Sequence, residues 1–147
     1  MADVLSDRGQ WKESWKTDAW ELFMTSPAYG VFFTRVSGYA DLDCALHVMR
    51  AFDRLASHTL GDIEVFHDWE LVTGYDSIVR QEFVRWAQEH PKQGDAHILV
   101  KSRIVAMGVS VANVALGGRI KVYADRPKFE RTRTETIAGK RRASIPG

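Results

Sequence analysis

A single cysteine, Cys44, stands among the 147 residues. One thiol closes no disulfide within the chain and builds no thiolate metal centre, and a chain without disulfides suits a reducing compartment. Long apolar runs are also missing. No stretch approaches the ~18 consecutive apolar residues that a membrane-spanning helix needs. The opening residues, Met1-Ala2-Asp3-Val4-Leu5-Ser6-Asp7, carry acids where a signal peptide needs a basic region and an apolar core. The expectation is a cytoplasmic protein with no membrane span. No G-x-G-x-x-G or Walker loop follows an expected strand, so no nucleotide or other cofactor is expected. Internal repeats and low-complexity tracts are absent as well.

The hydrophobic share is 45% and the charged share 27%, enough to build one ordinary globular core. The net charge of +1 conceals an uneven distribution. Residues 1–60 hold six basic and eight acidic side chains, and residues 61–118 hold five and eight. Residues 119–147 hold nine and three. A basic end of this kind either contacts an acidic partner or is a solvated tail that maintains solubility. The second reading is the simpler one, and no nucleic-acid partner is expected.

Hydrophobic periodicity orders the rest. Residues 1–17 are a polar extension in which Trp11 and Trp15 would sit one helical turn apart. Residues 18–25 read as a strand, Ser26 to Gly30 as a turn, and residues 31–37, β-branched and aromatic, as its hairpin partner. From residue 41 the period changes: Leu42, Ala45, Leu46, Met49, Phe52 and Leu55 recur at three and four, with Asp41 as N-cap. A strand at 63–67 precedes a helix over 73–90 that Pro91 ends. A strand at 96–100 leads to a helix over 102–116, stopped by Gly117-Gly118. A strand at 119–123 and a final helix, with Pro127 in its first turn, complete the order ββαβαβαβα. Alternation of strands and helices implies right-handed crossovers and a mixed, mainly parallel sheet in a single α/β domain over 18–138, with a basic mobile tail at 139–147.

Two short motifs sit at junctions in this order. Gly38-Tyr39-Ala40-Asp41 follows the second strand, and Asp76-Ser77 stands near the start of the second helix. Together with the element order they resemble the STAS domain, the SpoIIAA-like family typified by anti-sigma-factor antagonists. The resemblance covers residues 18–138. It implies that Asp76-Ser77 occupies the position where antagonists are phosphorylated by a partner kinase. Antagonists usually continue with another small hydroxyl residue and a glycine, whereas this chain has Ile78-Val79. The chain thus resembles a divergent member of the family.

Each candidate site has a competing structural explanation. A phosphoryl group on Ser77 would meet the unpaired N–H groups of a helix start and add nearly two negative charges there. Equally, Thr73 to Asp76 reads as a capping box, with Ser77 a first-turn residue. Tyr75, Asp76 and Asp41 belong to the same candidate partner-binding region. His67 and Asp68 form a candidate polar or ligand site near the end of a central strand, where open α/β sheets bind ligands, or a structural pair. His67 and His97 lack the spacing of a metal site. The third helix is apolar nearly all round, so Met107, Val111 and Val114 are either buried or form an interface, with homodimerisation the economical case. Arg141-Arg142-Ala143-Ser144 has the form of a basophilic kinase site, a match common by chance. Three functions follow, in this order: a non-catalytic regulatory module that binds a kinase-like or other protein; a carrier or sensor of a lipid or other small apolar ligand; and an enzyme using His67 and Asp68.

Overall fold

The computed structural model describes residues 11–90 and 92–143. Ser144 and the rest of residues 144–147, residues 1–10 and Pro91 lie outside that range. The chain runs β1 (Lys12–Lys16), β2 (Trp20–Ala28), β3 (Val31–Ala40), α1 (Leu42–Ala56), β4 (Ile63–Tyr75), α2 (Ser77–Glu89), β5 (Gln93–Val100), α3 (Arg103–Ala115), β6 (Ile120–Tyr123) and α4 (Arg126–Ala143). The six strands form one sheet in sequence order, β1-β2-β3-β4-β5-β6. The first three strands are antiparallel neighbours, and β3 through β6 pair in parallel.

That order decides where the helices lie. Each crossover from β3 onward advances the sheet in the same direction, and right-handed crossovers then stack their helices on one face. Accordingly, α1, α2 and α3 cover one side, around Phe32, Val36, Ile63, Val65, Ile98 and Val105. The opposite side is covered by α4 through Phe129, against Phe33, Phe66, Leu99 and Tyr123. Strand alternation sorts neighbours between the two layers, Phe32 to one side and Phe33 to the other. Each buried phenylalanine contributes roughly 1.5–3 kcal/mol of transfer free energy.

Three expectations change. Residues 12–16 are not a helical turn but the edge strand β1, paired with β2 from Lys12↔Thr25 to Lys16↔Glu21. This places Trp11, Glu13 and Trp15 on the inner side. Trp15 stacks on His47 at 4.0 Å, and buried Glu13 accepts from Arg54 of α1. The sheet therefore begins before residue 18. Strand β4 continues eight residues past His67, and α2 starts at Ser77 instead of Thr73. Finally, residues 139–143 are the last turn of α4, not a tail. Lys140, Arg141 and Arg142 face the negative end of that helix, and Arg141 Nη2 donates to the Pro27 carbonyl at 3.0 Å.

Candidate functional site

The two junction motifs meet at one corner of the sheet. Parallel pairing of β3 with β4 runs on through Tyr39↔Gly74 and Ala40↔Tyr75, which keeps Thr73 in the strand. The capping box is therefore not formed. Asp76 is the N-cap by backbone conformation, but its carboxylate makes no capping bond. It accepts instead from the Tyr39 hydroxyl at 2.9 Å, which raises the Tyr39 pKa. Ser77 is the first residue of α2 and is exposed, as is Asp76. Asp41 has a different task. Its Oδ1 accepts from Cys44 N at 3.0 Å, capping α1, and from Trp20 Nε1 at 2.9 Å. Gly38 permits this turn: its φ is +94°, and a Cβ there would lie 2.2 Å from the Ala19 carbonyl oxygen.

Tyr75 points the other way, into the helical layer. Its ring lies against Gly108 of α3, where a Cβ would stand 1.6 Å from the phenol oxygen. Arg80 Nη1 reaches the same oxygen at 3.5 Å. The corner carrying Ser77 is thus tied to the middle of α3. That helix is N-capped by Ser102, whose hydroxyl accepts from Val105 N, and it buries Val105 and Val109. Its outer face leaves Ile104, Met107, Val111 and Val114 exposed by 67%, 69%, 56% and 85%. Of the two readings of Met107, Val111 and Val114, burial within the monomer is excluded. Lys101 and Arg103 beside this stripe are exposed and take part in no ion pair among the described residues.

His67 and Asp68 do not form a site together, because adjacent strand residues face opposite sides of the sheet. Asp68, under the α4 layer, accepts from Arg126 Nη2 at 2.9 Å and from Arg35 Nε at 3.1 Å. Arg126 also binds Glu70 at 2.9 Å. These bonds satisfy Asp68 structurally. His97 lies on the same side and bonds Glu64 and Tyr123, both at 2.8 Å. His67 faces α2 and α3, so it shares no site with His97. No cluster of three or more His, Cys, Asp or Glu suited to a metal occurs among the described residues.

Between the sheet and helices α1, α2 and α3 lies a cavity of about 110 Å³. Its wall is almost wholly apolar, including Val36, Val48, Val72, Phe83, Ile98 and Val109. Its chief polar features are His67 and Tyr75. His67 is 6% exposed, its Nδ1 is 2.6 Å from Thr34 Oγ1, and burial lowers its pKa to about 3. Cys44 also lines the cavity, but burial pushes its thiol up to about 12, so it is no nucleophile. Tyr39 and this cavity escaped the sequence reading. The Gly-x-x-Asp step put Tyr39 within the motif, yet its partner Asp76 is 37 residues away.

No protein-family model matches the chain, and no curated protein does. Two solved structures resemble it. One is an anti-sigma factor antagonist from Mycobacterium paratuberculosis, with TM-score 0.51 and 12% identity over 88% of this chain and 97% of that one. The other is an uncharacterised DUF3478-family protein with a SpoIIAA-like fold from Shewanella loihica PV-4, with TM-score 0.53 and 16% identity over 89% and 97%. At these identities the likeness defines the fold: this is a SpoIIAA-like α/β domain, as the element order and the two motifs imply. Among the described residues no helix is long and apolar enough to cross a membrane.

Proposed function

We propose that the chain is a non-catalytic, cytoplasmic regulatory module that binds a protein partner through the outer face of α3, with Ser77 at the start of α2 as a phosphorylation switch. The observation that carries this is the stripe Ile104, Met107, Val111 and Val114, four large apolar side chains exposed along one helix face. Their spacing of three, four and three places them in a line. Contiguous exposed apolar surface of this kind marks an interaction site on a protein surface. Lys101 and Arg103 at the start of the stripe favour a partner whose apolar groove has an acidic rim.

The switch follows from the same charges. A phosphoryl group on exposed Ser77 is tolerated by the α2 N-terminus, whose free N–H groups and dipole favour an anion. It adds negative charge at a corner that already holds Asp76, which an acidic-rimmed partner would avoid. The SpoIIAA-like fold and its occurrence in an anti-sigma factor antagonist support this assignment.

The test is capture from native lysate with three baits: wild type, Met107→Glu/Val114→Glu, and Ser77→Asp. The expected result is a protein retained by wild type and lost with both variants, each of which melts within a few degrees of wild type. Retention of that protein by Met107→Glu/Val114→Glu would sink the docking surface. Retention by Ser77→Asp would sink the switch. A concentration-dependent dimer in wild type, abolished by Met107→Glu/Val114→Glu, would assign the stripe to a second copy instead.

A further inference from the structure

The layer between the sheet and the three helices leaves a cavity of about 110 Å³ in an otherwise packed core. Voids much larger than a water molecule are few in a domain and cost the dispersion contacts of their lining. A water needs two to four polar partners, and this wall is nearly all apolar. A compact organic molecule is better matched: an apolar cavity of about 150 Å³ takes up benzene.

A few polar groups interrupt the apolar lining: His67, Tyr75, Arg80 and Gln93. His67 is more than nine-tenths buried, and Thr34 Oγ1 at 2.6 Å is its one hydrogen-bond partner among the described residues. That bond runs in either direction with the imidazole tautomer. With the Thr34 hydroxyl donating, the ring proton sits on Nε2, a donor with no protein acceptor among the described residues. Trp69 stacks on the imidazole at 4.7 Å, and Phe83 meets it edge-on at 6.4 Å. A few polar groups in an aromatic and aliphatic wall are the composition of a small-molecule site, where apolar contact supplies affinity and placed polar groups supply orientation.

The geometry points to this cavity as a binding site for an uncharged, compact molecule of about one six-membered ring, whose hydrogen-bond acceptor meets His67 Nε2–H. An uncharged ligand suits the wall, whose one charged residue, Arg80, already reaches the Tyr75 hydroxyl at 3.5 Å while the rest is nearly all apolar. A long acyl chain exceeds the volume. The site does not depend on the α3 docking surface, and its test involves no protein partner.

Cyclohexanone and methylenecyclohexane have the same shape, but only the ketone carries a strong acceptor. Each is titrated into ¹⁵N-labelled protein while the amides of Ala96, Ile98, Val105 and Val109 are followed. The expected result is saturable shifts at these amides, with cyclohexanone binding at least about tenfold tighter than the hydrocarbon, the magnitude of one hydrogen bond in an apolar site. The double variant Thr34→Val/His67→Phe removes donor and partner together, a change that can be nearly neutral for folding. It should bind both probes equally. Ala112→Leu, which fills the cavity from α3, should bind neither, and it decides the matter if the double variant does not fold. Absence of saturable shifts with either probe, an undiminished ketone preference in the double variant, or full binding by Ala112→Leu would each overturn the assignment.

Discussion

Acid should loosen this protein through His67. The imidazole is buried and neutral, and burial lowers its pKa from 6.5 to about 3. Between those values the unfolded chain holds the proton and the folded chain does not, so stability falls as pH falls. The contribution is complete above pH 6.5 and declines by about 1.4 kcal/mol per pH unit until the folded pKa is reached. From pH 6.5 to 4.5 the loss is about 2.7 kcal/mol, and at pH 3 about 5 kcal/mol, a large part of a typical folding free energy. Paired carboxylates add their own slope at the acid end, so the quantity to measure is a difference. Urea unfolding of wild type and His67→Gln at half-unit steps from pH 7.5 to 4.5 isolates it, since Gln keeps an acceptor for the Thr34 hydroxyl. The wild-type curve should steepen below pH 6.5 while the variant stays flatter, the gap changing by about 2–3 kcal/mol over the window. Parallel curves would refute a buried neutral His67.

Two further substitutions test the packing that positions the corner. Gly108→Ala should destabilise by about 1–2 kcal/mol, because its Cβ would stand 1.6 Å from the Tyr75 hydroxyl and the resulting strain exceeds the ~1 kcal/mol helix-propensity gain. Adding Tyr75→Leu should recover most of that in a urea midpoint comparison; no recovery would place the cost elsewhere. Asp41→Ala should lose about 2–3 kcal/mol, since it removes the α1 cap and leaves Trp20 Nε1 unpaired, whereas Asp41→Asn keeps an acceptor and should lose under about 1 kcal/mol in the same measurement.

Local period was enough for the helices and the parallel core strands, because their apolar positions are matched by continuous burial. It failed where a charged residue points inward. Trp11-Lys12-Glu13-Ser14-Trp15 alternates as a strand should, but Glu13 occupies an inward position and hides the pattern. Arg54, 41 residues later, neutralises it. The strand expected at 63–67 stops short of β4 for the same reason: the charged Asp68 and Glu70 that continue it are both bound by Arg126, more than fifty residues away. Pairings across such distances leave no mark in a local window.

The site residues divide along a related line. That His67 and Asp68 point apart was already contained in strand alternation, once the strand is continued by one residue. That Ser77 stands in the first turn of a helix was legible in the Asp76-Ser77 step, although the expected start at Thr73 is four residues early and the β3–β4 register sets the true one. The cavity had no such signal, because it arises where side chains are small or turned away. Gly108 admits the Tyr75 ring, and Ala96 and Ala112 leave space that larger residues would close. A sequence pattern records the volumes that are present, and missing volume appears only when several elements are brought around one point. The imidazole at that point is what makes the space chemically specific. Leucine or phenylalanine at position 67 would have packed against Trp69 and Phe83 with no desolvation cost. Histidine there carries that cost together with a ring nitrogen that no protein group among the described residues engages, and the exposed α3 stripe lies on the outer side of the helix that walls the cavity.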